Sequence, residues 1–217
     1  MPADPVLTVI GGLFGAIFGS FLNVCILRLP SQQSVVRPAS RCPRCGYELR
    51  WYDNIPMLSW IILGGKCRKC RDPISRIYPL IELATAIIWA AFTWRLGPSL
   101  ELFRGAVLFT LLLGIAMTDA REYIIPDEFS IGGLLAGLAF ALPGGYRPIG
   151  DALLGAVVGF ALLYLVAVGG KALFKEEAMG GGDIKMMAMV GAFTGWTGVL
   201  LTIFLGSLLG TVIFVPL

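Results

Sequence analysis

The chain has 217 residues, 57 % of them hydrophobic and 14 % charged, with a formal net charge of +3. Soluble domains usually carry about 25 % charged residues, so water is excluded as the main solvent of this protein. The composition implies membrane lipid as its surroundings and gives no reason to expect a nucleic-acid partner.

In chain order, apolar runs of membrane-spanning length fall near 6–28, 77–95, 101–118, 129–142, 149–169, 184–196 and 198–215. A spanning helix needs roughly 20 such residues, so the expected fold is all-α: a polytopic membrane helical bundle. The fourth and sixth runs are short for a full crossing, which suits tilted helices or half-buried elements shielded by protein. The first run has no Lys or Arg before Arg28 and no small-residue cleavage site in the usual place. It is therefore read as a mature span and not as a signal peptide. Cys25, alone in that span, is read as a packed core thiol.

One polar insertion, 30–76, interrupts the bundle and divides the chain into a first transmembrane helix (1–29), the insertion, and a transmembrane core (77–217). The insertion holds Arg37, Arg41, Arg44, Arg50, Lys66, Arg68, Lys69, Arg71 and Arg76 against Glu48, Asp53 and Asp72. The positive-inside rule places it in the cytoplasm and the amino terminus outside. Alternation then leaves Arg95, Arg104 and Arg147 outside, and Arg121, Lys171, Lys175 and Lys185 inside. Short loops such as Pro143-Gly144-Gly145 and Gly180-Gly181-Gly182 join the spans, and no internal repeat is evident in the sequence. The chain stops at Val215-Pro216-Leu217 without a polar tail, so a further C-terminal helix is expected to be missing.

Two C-x2-C pairs, Cys42-Pro43-Arg44-Cys45 and Cys67-Arg68-Lys69-Cys70, lie in the insertion with 21 residues between them. The spacing is close to that of a zinc ribbon, in which two knuckles present four thiolates tetrahedrally to Zn²⁺. Two disulfides are the alternative, and a reducing cytoplasm disfavours them. A closed four-thiolate site leaves no open position for catalysis, so this zinc is structural and supplies folding free energy to a segment with little core of its own.

Acids at membrane depth are costly and so are functional candidates: Glu82, Asp119, Asp127, Glu128, Asp151 and Asp183. Asp119 closes an apolar helix and Asp183 follows three glycines, and the topology puts both on the cytoplasmic side. Two converging carboxylates can share one proton, one acting as base on a water and the other as acid toward a scissile carbonyl. A glycine run lets the backbone approach another chain closely. For Asp127, Glu128 and Asp151 the plainer reading is a helix cap or interfacial loop acid.

The stretch Phe18-Gly19-Ser20-Phe21-Leu22-Asn23-Val24-Cys25-Ile26-Leu27-Arg28-Leu29-Pro30 resembles the opening signature of the type IV prepilin peptidases. The cysteine pairs, Ser75-Arg76-Ile77-Tyr78-Pro79-Leu80-Ile81-Glu82-Leu83, the block Asp119…Ile125-Pro126-Asp127, and G-x-G-D at Gly180–Asp183 follow in that family's order. The resemblance implies an aspartyl endopeptidase of the bacterial inner membrane, with Asp119 and Asp183 catalytic. It would cut the basic leader of prepilins and type II secretion pseudopilins after a Gly on the cytoplasmic side. It also implies N-methylation of the new terminal Phe with S-adenosylmethionine as donor, an activity to which Gly65 and Lys66 correspond. The family's final Pro-Phe-Gly-Pro-like motif is absent. A small transporter, a zinc-ribbon adaptor and the presenilin-like G-x-G-D proteases are the competing classes; the insertion and the Ile125-Pro126-Asp127 block favour prepilin processing.

Overall fold

A computed structural model of the chain describes residues 4–143, 148–175 and 179–214. The helices are α1 (Pro5–Arg28), α2 (Leu58–Ile62), α3 (Ile77–Leu96), α4 (Leu100–Glu122), α5 (Asp127–Ala141), α6 (Ile149–Phe174) and α7 (Gly181–Phe214). Five of them, α1, α3, α4, α6 and α7, are long and apolar enough to cross a membrane. Among the described residues no strand forms; the insertion contains two isolated bridges, Arg41 with Glu48 and Lys66 with Pro73. The chain is thus an all-α, multi-span membrane protein, divided into two compact units at Tyr123 and Ile124.

The first unit is built on α1, α3 and α4. Asp4 caps α1 by accepting from the Val6 N–H at 2.8 Å, and Pro5 supplies a first-turn residue that lacks a donor to satisfy. One face of α1 exposes Val6, Val9, Leu13 and Ile17, apolar residues suited to lipid. The opposite face carries Gly11, Gly15 and Gly19, four residues apart, against Thr93, Trp89 and Thr85 of α3. A Cβ on Gly15 would stand 2.5 Å from the Thr85 carbonyl oxygen. Small residues at this spacing let two membrane helices meet backbone to backbone, where apolar burial alone gives them no reason to associate. Trp89 also donates its indole N–H to Thr110 Oγ1 of α4 at 3.1 Å.

In the second unit α7 packs against both α5 and α6. Gly155 and Gly159 of α6 face Gly191, Gly195 and Met187 of α7 in another close seam. The long final helix is broken at Gly195, whose φ of 71° and ψ of 178° belong to glycine alone. The break lies two residues before 197, where the expected runs 184–196 and 198–215 divide, and the helix as a whole makes one candidate crossing and not two.

Several boundaries move. Gly181 and Gly182 belong to the first turn of α7 and not to a loop, because the helix starts before the acid. α4 runs past 118 to Glu122 and ends where Tyr123 turns left-handed, at φ 55°. α6 continues through Gly169 and Gly170 to a left-handed Lys175. The expected loop at Pro143-Gly144-Gly145 lies, from Gly144 onward, outside the described residues, as does the end at Val215-Pro216-Leu217.

Candidate active site and cysteine cluster

The insertion repeats one hairpin twice at a spacing of 25 residues, a repeat visible in its backbone and not in its sequence. In the first copy the N–H of Cys42 donates to Tyr47, that of Gly46 to Cys42 and that of Leu49 to Ser40; in the second, Cys67 donates to Asp72, Arg71 to Cys67 and Ile74 to Gly65. The residue after each second cysteine is left-handed, Gly46 at φ 68° and Arg71 at φ 60°. Only the first copy uses the residue type for which this region costs nothing.

The two knuckles bring Sγ of Cys42, Cys45, Cys67 and Cys70 within 4.8 Å of one another. Cys42 and Cys70 are 3.7 Å apart and Cys45 and Cys67 3.9 Å. Bonds of about 2.3 Å at tetrahedral angles set zinc-bound sulfurs about 3.8 Å apart, so the donor set fits that ion, and all four cysteines are free of disulfides. N–H groups of Cys70 and Lys69 pull the Cys67 thiol down to about 7. The Asp72 N–H favours the Cys70 thiolate, but burial and the three neighbouring sulfurs push it up to about 12. Sulfurs this close do not all ionise without a cation among them.

Asp53 ties the knuckles together. It is 7 % exposed and accepts from Arg68 Nε at 2.7 Å, Tyr47 Oη at 3.0 Å and the Arg50 N–H at 3.2 Å. Arg44 of the first knuckle also donates to Asp72 of the second.

Under the insertion lies a cavity of about 570 Å³, walled by the end of α1, the start of α3 and the hairpins. Glu82 lines it from α3, 9 % exposed. Its carboxylate accepts the Met57 N–H at 2.6 Å and a hydrogen bond from Ser20. Met57 has a positive φ of 59°, so Glu82 holds the strained turn that starts α2.

Gly65 is buried and at φ 66°; a Cβ there would strike the Trp60 ring at 2.8 Å. Trp60 lines the cavity and donates its indole N–H to the Ile74 carbonyl at 3.2 Å. Gly65 therefore shapes the cavity through Trp60. Lys66 is exposed, and its backbone pairs with Pro73.

Asp119 is exposed in the last turn of α4, in the first unit. The preceding Thr118 is fully buried, bonding back to Ile115 at 2.9 Å and so turning its neighbour outward. Asp183, partly exposed, is in the first turn of α7, in the second unit. Asp127 opens α5 and pairs with Lys185 Nζ at 2.7 Å. A Cβ on Gly182 would meet the Ile125 side chain at 2.9 Å, so the glycine before Asp183 lets the start of α7 lie against the Ile125-Pro126-Asp127 segment.

Residues 13–96 match the Bacterial Peptidase A24 N-terminal domain, and residues 106–215 match the Type IV leader peptidase family. The chain belongs to the type IV leader peptidase family. The chain is similar to several proteins that carry the name prepilin leader peptidase/N-methyltransferase. The one from Myxococcus xanthus is 44 % identical, over 96 % of this chain and 62 % of its own length. The one from Klebsiella pneumoniae is 39 % identical over 90 % and 88 %, and the one from Pseudomonas aeruginosa 38 % over 93 % and 77 %. The chain thus spans less than two thirds of the Myxococcus relative. No solved structure matches the chain.

Within this type IV leader peptidase family member, sequence reasoning missed Asp53, Trp60 and the enclosed face of Glu82. Asp53 was legible only as one acid among many basic residues, and Trp60 had no motif to mark it. The twin left-handed positions after Cys45 and Cys70 left a signal at Gly46 but none at Arg71.

Proposed function

We propose that this chain is a bacterial inner-membrane aspartyl endopeptidase that removes the basic leader of prepilins and type II secretion pseudopilins, cutting after a Gly at the cytoplasmic face. The observation that carries this reading is the unbroken match of residues 106–215 to the leader peptidase family, which contains both Asp119 and Asp183. Each acid sits at a helix end, beside Arg121 and Lys185 respectively. The excess of Lys and Arg in segment 30–76 supports a cytoplasmic side for that segment.

In the proposed reaction one of Asp119 and Asp183, ionised, takes a proton from water as that water attacks the scissile carbonyl. The other, protonated, donates to the carbonyl oxygen and then to the leaving amine. The glycines at 180–182 let an extended substrate strand run close to Asp183.

The same chain is proposed to N-methylate the new terminal Phe, with Gly65 and Lys66 on the methyl-transfer side and S-adenosylmethionine supplying the methyl group. Cys42, Cys45, Cys67 and Cys70 would hold one Zn²⁺ as a closed structural site. The proposed domain roles are a first transmembrane helix at 1–29, a zinc-stapled insertion serving methylation at 30–76, and the transmembrane aspartyl peptidase core at 77–217.

Incubating the detergent-solubilised protein with a prepilin and S-adenosylmethionine, then weighing the product, tests the reading. A product beginning at the residue after Gly, heavier by one methyl group, is expected. An uncut prepilin would refute the peptidase assignment, and a cut but unmethylated one the second activity.

A further inference from the structure

A carboxylate taken out of water is expensive unless a cation or several donors compensate it. Every other acid on the wall of the 570 Å³ cavity is compensated: Asp53 by Arg68 and Asp72 by Arg44. Of the wall cations, Arg68 pairs with Asp53 and Arg28 donates to the Ser34 carbonyl at 2.9 Å; Arg41 also lines the wall. Glu82 differs. Its partners are the Met57 N–H and Ser20, both neutral, and among the described residues no Lys or Arg reaches ion-pairing distance of it. It therefore presents a nearly buried carboxyl group without a cationic partner to a partly open cavity of the size that holds small ligands. The same wall carries apolar residues, Val24, Leu27, Trp60, Leu63 and Ile74, among polar ones such as Asn23, Asn54 and Ser59. A cation joined to a hydrophobic group is what such a pocket complements.

We propose that Glu82 is the acceptor for the primary ammonium group of the processed substrate: the new amino terminus enters this cavity, its ammonium on Glu82 and its terminal aromatic side chain against the apolar wall. The proposal rests on the reading that the chain processes prepilins into products with a terminal Phe, and it adds where that terminus is held. It also accounts for Gly65. A side chain there would drive Trp60 into the space the aromatic group occupies, so that position acts through the wall and without contact to the ligand.

The probe is a synthetic peptide with the processed amino terminus, beginning with Phe and labelled at its far end, compared with a des-amino analogue that lacks only the terminal nitrogen. Anisotropy is measured on the full detergent-solubilised chain. A charge-assisted hydrogen bond to a nearly buried carboxylate is worth on the order of tenfold in affinity, so the wild-type protein should prefer the amine by that factor. Glu82→Gln keeps an acceptor for the Met57 N–H but no charge, and should bind both peptides within about twofold of each other. Glu82→Asp should recover part of the preference. Zinc content equal to wild type reports that the variants fold.

A wild-type protein that binds the two peptides equally overturns the proposal, as does a Glu82→Gln protein that keeps the preference. A Glu82→Gln protein that loses affinity for S-adenosylmethionine while still preferring the amine also overturns it, because the carboxylate would then serve the donor. The binding comparison needs no turnover. Failure of the peptidase reading, seen as uncut prepilin, is thereby separated from failure of this one.

Discussion

Lys185 Nζ lies 2.7 Å from Asp127 Oδ1, so an ion pair joins the first turn of α7, which carries Asp183, to the first turn of α5. Both side chains are about half exposed, at 41 % and 55 %, and exposed pairs contribute about 0–1 kcal/mol. Asp127→Asn should accordingly slow prepilin cleavage by no more than about fivefold, and added salt should close the gap between the two proteins. Loss of cleavage on the scale of an Asp183 variant would place Asp127 in the chemistry itself.

The cysteine cluster predicts one zinc per chain by metal analysis. Changing any one of Cys42, Cys45, Cys67 or Cys70 to Ser should loosen metal binding and expose the insertion to protease while the membrane helices stay folded, because the metal supplies folding energy only to that segment. Zinc should also leave as pH falls and the thiolates compete with protons. Two disulfides and no metal in protein from reduced cells would contradict this.

Asp53 yields a pH dependence with a definite sign. Burial alone would raise its carboxyl group, but the bonds from Arg68, the Arg50 N–H and Tyr47 outweigh burial and hold it below the ordinary carboxylate range. A depressed folded value means that Asp53 contributes stability fully above its unfolded value, about 3.9, and loses it as pH falls through the lower folded value. At pH 7 Asp53→Asn should open segment 30–76 to protease roughly tenfold more readily than wild type. Below about pH 4 that difference should shrink, while acid effects on the thiols, common to both proteins, cancel in the comparison. A difference that grows in acid would refute the assignment.

Gly65→Ala imposes a left-handed alanine, at about 1–2 kcal/mol, and pushes on the Trp60 ring. Methylation should fall at least tenfold while leader cleavage persists, measured by product mass. Lys66→Ala should likewise cut and not methylate if Lys66 acts on the donor side. Since Lys66 is exposed, its loss should leave zinc content unchanged. Joint loss of both activities in either variant would count against separate sites.

How far the sequence carried these conclusions differs between elements. The spans of α1 and α3 were legible to within a residue or two, since a long apolar run bounded by Arg28, or by Arg76 and Gly97, admits few alternatives. The ends of α4 and α6 were not, because polar and glycine residues continued helices that a hydropathy reading stops; backbone reversal at Tyr123 and Lys175 ends them instead. The break at Gly195 was read as a gap between two crossings, and it is a single glycine dihedral. The four thiolates were legible from spacing because each knuckle is local in sequence. The enclosure of Glu82 was not. It depends on a loop hydrogen bond across 25 residues, from Met57, and on two hairpins folding over α1 and α3, which no local pattern encodes.

The proposed catalytic pair faces the sharpest test. Asp119→Asn or Asp183→Asn alone should abolish cleavage, because the mechanism needs one carboxylate to take a proton from water while its partner supplies one to the carbonyl oxygen or the leaving amine. An amide does neither. General acid–base groups commonly contribute 10² to 10⁴-fold each, so a residual rate below about one hundredth of wild type is expected for either variant, and the double variant should be little worse than the singles because the two act as a unit. Neither change should disturb folding. Asp119 is exposed beside a buried Thr118 that anchors the helix, and Asp183 is partly exposed at the start of α7. Zinc content and affinity for the processed peptide should then match wild type, and a variant inactive through unfolding would lose both. The zinc-ribbon adaptor and transporter readings require no such pattern, since binding without hydrolysis would be the wild-type behaviour in the first and irrelevant to the second. An Asp119→Asn protein with full activity, purified from cells lacking any host prepilin peptidase, would end the dyad proposal.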